Sequence, residues 1–113
     1  MTATPRPPAW AVLEQALLQR SPVQARYHGH QRLLCPHALG WHRGRPKVLA
    51  YQADGTTSQG TLAVDPRHRW RSMFVDEIQD AVITDQPWQT ADNYSPTTTG
   101  ISDLHLDVSG VRN

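Results

Sequence analysis

Arg69-Trp70-Arg71-Ser72-Met73-Phe74-Val75-Asp76-Glu77-Ile78 is the stretch whose reading decides the fold. Read with a period of two, it places Trp70, Ser72 and Phe74 on one face and Arg69, Arg71, Met73 and Val75 on the other. That is a strand, and two of its guanidinium groups then share a face beside the core, an arrangement suited to an anion. Trp70 and Phe74 are the residues expected to turn inward, against Leu49 or its neighbours. The expected sheet partner is Lys47 to Gln52, whose nearly continuous apolar run from Val48 to Tyr51 reads as a central strand. Asp76-Glu77 reads as a turn into a last short strand, Ile78 to Thr84.

Upstream of this pair the period changes. Trp10, Leu13, Ala16 and Leu17 recur at helical spacing, so one amphipathic helix is expected from Ala9 to Arg20, stopped by Ser21-Pro22. Val23, Ala25 and Tyr27 alternate as a half-buried strand. His28-Gly29-His30 is a turn, and Arg32 to Trp41 resumes as a long strand with Leu33, Cys35, His37 and Leu39 on one face. Pro36 lacks a ladder donor, so an edge position, a bend or a bulge is expected there. Arg43-Gly44-Arg45-Pro46 supplies the next turn. Ala53 to Pro66, rich in Gly, Thr, Ser and Asp, reads as a hairpin connection or a long mobile loop.

Downstream, Trp88 and Tyr94 are anchors in an otherwise polar stretch, and Ile101 to Val108 alternates with Leu104, Leu106 and Val108 facing inward. The expected organisation is a disordered lead-in at residues 1 to 8, a helix and about five short antiparallel strands over residues 9 to 84, and a C-terminal tail over residues 85 to 113. That order suits a mainly β protein, a small barrel or curled sheet. The tail is expected to dock, either on its own barrel or across a two-fold axis, the latter being favoured.

The chain has 113 residues and a net charge of +1, enough for one domain with a small core. The single cysteine, Cys35, forms no internal disulfide, and no long apolar run suggests a signal peptide or membrane span, so a reducing cytoplasm fits best. Charge is segregated. Residues 1 to 71 hold ten of the eleven cations against Glu14, Asp54 and Asp65, whereas residues 72 to 113 hold seven acids against Arg112 alone. Lys47 is the one lysine among those cations, and arginine's rigid fork of donors suits phosphate and carboxylate.

This order of features resembles the bacterial WYL domain. The likeness is carried by a short helix, a strand ending in Tyr27, an arginine and proline in Arg32-Leu33-Leu34-Cys35-Pro36-His37-Ala38-Leu39, a strand ending in Leu49-Ala50-Tyr51, and Trp70 to Ile78. It spans roughly residues 13 to 94. Arg32 falls on the family's arginine before the proline and Arg71 on the arginine opening the strand that ends in the Asp-x-Ile turn, while Pro46-Lys47-Val48 stands where the family has Trp-Tyr-Leu. The resemblance implies an SH3/Sm-like antiparallel β-barrel with one N-terminal helix. It also implies a non-enzymatic sensing module of transcription regulation or defence, with a nucleotide or single-stranded nucleic acid as ligand. The expected ligand-contacting residues are Arg32, Lys47, Tyr51, Arg69 and Arg71. No helix-turn-helix pattern precedes residue 22, so a stand-alone module or a larger regulatory partner is expected.

Other chemistries are weaker. His28, His30, His37 and His42 follow no metal-ligand spacing, and no cofactor motif, nucleophile elbow or carboxylate pair is present, so neither metal, cofactor nor catalysis is expected. Cys35 and His37 share a strand face, yet a lone cysteine in an apolar strand is core more often than nucleophile. The alternative to ligand binding is a protein-interaction module that homodimerises or attaches to a partner through strand edges and the acidic tail.

Overall fold

The computed structural model describes residues 6–96 and 99–111, so residues 1–5 of the expected lead-in lie outside the described residues. Helix α1 spans Pro8–Gln19, with a proline in its first turn where the missing N–H costs nothing. It ends as Arg20 turns left-handed at φ 56° and the Ser21 N–H donates to Ala16 O at 2.9 Å, just before Pro22. Its apolar stripe, Ala9, Trp10, Leu13, Ala16 and Leu17, is buried.

Eight strands follow: β1 Val23–Tyr27, β2 His30–His42, β3 Arg45–Thr57, β4 Gly60–Thr61, β5 Trp70–Phe74, β6 Ile78–Ile83, β7 Asp103–Asp107 and β8 Gly110–Val111. All pairings are antiparallel, and the sheet runs β4-β3-β2-β1-β6 with β5 on β3 and β7 on β2. It curls into a half-barrel around α1, the small barrel-like fold that the alternating strands predicted. Strands β2 and β3 are 13 residues each, not short, and they form the spine of the sheet. Each is long enough to carry two partners on its far edge. Strand β2 holds β1 on its first half and β7 on its second, and β3 holds β5 and then β4.

The core is Trp10, Leu13, Leu17, Val23, Leu34, Leu39, Val48, Met73, Val75 and Leu106, all at most 2 % exposed. This corrects the reading of β5. Met73 and Val75 enter the core, whereas Trp70 and Phe74 are only half-buried on the other face. Alternation by itself does not say which face is inner, and the large aromatic rings are covered from outside instead. The register of β2 also shifts between Pro36 and Ala38, a bulge at the proline. The bulge separates Leu34 and Leu39, which reach the core cluster, from Cys35 and His37, which do not.

The tail pairs within its own chain. Leu106 lies opposite Leu39 and Asp103 opposite Trp41, and the approach requires glycine at position 40, where a Cβ would stand 2.2 Å from Asp103 O. The favoured pairing across a two-fold axis is therefore replaced by an intrachain one.

Candidate functional site: an arginine cleft beside the core

Strand pairing brings the first half of β2, the end of β3 and the start of β5 to one corner of the half-barrel. There an open cleft of about 470 Å³ is lined by Arg32 from β2, Arg71 from β5, the β3–β4 hairpin residues Thr57, Ser58, Gln59 and Thr61, and Ala63 and His68 from the connection to β5. Arg32 lies opposite Gly55, and Arg71 lies opposite Ala50 on the same face as Met73. Position 55 accepts only glycine, because its φ is +100° and a Cβ would sit 2.9 Å from the Arg32 Cα and 2.2 Å from Gln31 O.

Arg32 is 4 % exposed. Its Nη2 donates to Tyr27 O at 3.2 Å and its Nη1 to the Gln52 side-chain oxygen at 3.4 Å, while its Nε has no partner. Its guanidinium carbon stands 5.3 Å from the centre of the Tyr27 ring. Gln52, fully buried, is fixed in turn by donating to Asp54 O and Thr56 O, both at 3.1 Å. The Nη1 of Arg71 donates to Trp70 O at 2.9 Å and His68 O at 3.2 Å. Neither arginine has a carboxylate partner among the described residues. Burial pushes both below the ordinary arginine value, and the charge of Arg71 pushes Arg32 down further.

The other expected site residues are distributed differently. Arg69 is close by, but its Nε donates to Ala63 O at 2.8 Å, bracing the loop that forms one wall. Lys47, at the far end of β3, donates to Gly100 O at 3.1 Å and lies 5.5 Å from the Phe74 ring centre. Tyr51 is 2 % exposed and packs edge-on against Trp70 on the outer face. The structure therefore gathers Arg32 and Arg71, adds Arg69 as a brace, and leaves Lys47 and Tyr51 outside the cleft. Sequence reading did not single out Gln52, Thr57, Ser58, Thr61 or His68. The hydroxyl-rich hairpin was legible as a loop, but only the pairing of β3 with both β2 and β5 sets it above two arginines.

Acidic residues went elsewhere. Asp76 and Glu77 hold Arg45, and Arg67 is held by Asp92 at 2.9 and 3.0 Å. Those carboxyls are all held below their usual range by their partners' hydrogen bonds and charge.

On the outer face, segment 85–95 covers an aromatic cluster of His37, Tyr51, Trp70, Trp88 and Tyr94. Burial holds His37 neutral, its pKa lowered to about 4. A carbonyl only accepts, so His37 Nδ1 carries the proton and donates to Cys35 O at 2.7 Å, leaving Nε2 to accept from the Thr90 hydroxyl at 2.8 Å. Cys35 is fully buried, with its thiol pushed up by burial and accepting the Gln89 N–H at 3.4 Å. His37 thus addresses the carbonyl of Cys35, not its sulfur. The remaining histidines diverge, His28 to Glu77, His30 to Thr56 and His105 to Glu14, and no metal-holding group of three exists among the described residues.

No family model, curated protein or solved structure matches the chain. No helix among the described residues is long and apolar enough to cross a membrane.

Proposed function

We propose that the chain is a ligand-binding module whose arginine cleft holds a phosphate-bearing ligand, a nucleotide or single-stranded nucleic acid. The observation that carries this reading is Arg32, 4 % exposed, with an unpartnered Nε and with Arg71, not an acid, as its charged neighbour. A guanidinium does not shed its proton on burial, so two of them in one cleft leave an uncompensated positive potential that a bound anion removes. Hydroxyls of Ser58 and Thr61 at the same cleft add neutral donors for phosphate oxygens. The WYL resemblance, carried by the same two arginines, points the same way and favours a sensing role in a bacterial regulator in the cytoplasm.

Calorimetric titration with orthophosphate and with a short single-stranded oligonucleotide, at several salt concentrations, tests this. Binding should weaken linearly in log–log form with salt, and Arg71→Gln should remove about one phosphate contact's worth of that slope. Absence of binding at low salt by both probes rules the reading out.

A second reading, protein interaction through a strand edge, is supported by β6. Among the described residues it pairs only with β1, and it exposes Val82 at 61 %. Light scattering decides it: a dimer that Val82→Lys converts to a monomer supports edge pairing, and a monomeric parent chain removes it.

A further inference from the structure

The cleft's charge, access and donors go further than anion binding in general. Arg32 and Arg71 contribute two fixed positive charges, and none of the described residues lining the cleft is acidic. Asp65 stands outside the lining, its Oδ2 3.9 Å from His68 Nε2. A phosphodiester brings one negative charge, whereas a phosphate monoester brings between about 1.5 and 2 near neutral pH. Only the monoester matches both guanidinium groups.

Access gives the same answer. Arg32 is nearly closed off from solvent, so an internal backbone phosphate would have to bring an ester-linked chain on both sides to a buried group. A terminal phosphate carries one ester link and three free oxygens to share among the donors. No aromatic side chain among the described residues lines the cleft, and Tyr51 is turned onto Trp70 on the outer face, so no described ring is placed there to stack a base. From these observations we infer that the cleft takes the dianionic end of a phosphate monoester, whether on a free nucleotide or on the terminus of a strand, and discriminates against internal phosphodiesters. This inference rests on the anion-binding reading above.

The test is fluorescence anisotropy with a 3′-labelled oligothymidine of about eight nucleotides, carrying either a 5′-phosphate or a 5′-hydroxyl, at one ionic strength. Thymidine 5′-monophosphate and its 3′,5′-cyclic diester serve as competitors. The phosphorylated strand should bind at least about tenfold tighter, and the monophosphate should compete where the cyclic diester does not. The preference should fade below about pH 6, where the monoester loses its second charge while both arginines keep theirs. Tyr27 against Arg32, Arg69 on the Ala63 wall, and His68 with Asp65 are the other ionisable groups at this corner, and His68→Asn should leave that fade in place. Arg71→Gln should abolish the preference, and Arg71→Lys should retain part of it. A strong monophosphate effect with weak strand binding identifies the free nucleotide as the source. Equal, salt-sensitive binding of both strand ends overturns the monoester inference and leaves the anion cleft standing. Failure of every probe, orthophosphate included, removes both.

Discussion

Arg45 and Arg71 reach opposite faces of the same strand and are treated in opposite ways. On the outer face of β5, Arg45 lies with its guanidinium carbon 3.7 Å from the Phe74 ring centre and is gripped by Asp76 and Glu77. On the inner face, Arg71 and its neighbour Arg32 bond carbonyls and an amide oxygen but no carboxylate. Arg45, whose side chain is 42 % exposed and which water would have solvated cheaply, is saturated, while buried Arg32 and half-buried Arg71 are left without a carboxylate among the described residues. A third buried base, His37, escapes the same difficulty by staying neutral. Arginine has no such exit, because its pKa lies too far above physiological pH. Unpaired burial of a group that can neither move to water nor neutralise is what marks the cleft, rather than the abundance of arginine in the chain.

The comparison is first tested by asking whether the faces of β5 are as assigned. Met73→Ala should cost about 2–5 kcal/mol, the range for a fully buried side chain, whereas exposed Ser72→Ala should stay within about 0.5 kcal/mol. Urea unfolding of the two variants decides it, and equal costs would mean the faces are not distinct.

Next in size is the His37 effect. Its folded-state pKa of about 4 lies below the ordinary 6.5, so between those values the unfolded chain binds the proton that the folded chain refuses. Its contribution is complete above about pH 6.5, falls as the pH drops toward 4, and levels off below; the total is about 3 kcal/mol. Denaturation across this window should show the slope, and His37→Gln should flatten it.

Smaller again is the effect of charge in the cleft. Arg71→Gln should weaken orthophosphate binding by about tenfold, the worth of one charge-assisted contact, as read by calorimetry. Arg71→Met removes the repulsion with Arg32 together with two partly solvated bonds to carbonyls, and should leave the ligand-free protein's stability within about 1 kcal/mol because the side chain is only half-buried. A large loss of stability would show Arg71 to be structural.

The smallest expected effect is at Arg45. Arg45→Gln breaks an exposed, solvent-screened pair and should change phosphate affinity by less than about twofold. A loss as large as that of Arg71→Gln would dissolve the distinction between the two faces.

Periodicity by itself determined much of this molecule: one helix stopped at Ser21-Pro22, strands β1, β2, β5 and β6 and the first part of β3, and a disturbance at Pro36, whereas the end of β3 and all of β4 lie in the stretch read as a connection. These are local properties, set by which side chains recur at 3.6 or 2 residues and by what proline lacks. The resemblance picked out Arg32 and Arg71 separately, 39 residues apart in the chain. Tertiary structure decided the rest. It alone selects the inner face of β5, because period-two alternation is symmetric between faces until a helix covers one of them. It sends Tyr51 away from the cleft, onto Trp70 on the outer face of the sheet, and Lys47 to the opposite end of β3, beside Phe74. Only the long β2–β3 ladder, with its shift at Leu33 and Leu34, sets Arg32 under Gly55 and beside Arg71. Which acids pair with which arginines is equally non-local, and that choice left two guanidinium groups in one cleft without a counter-ion among the described residues.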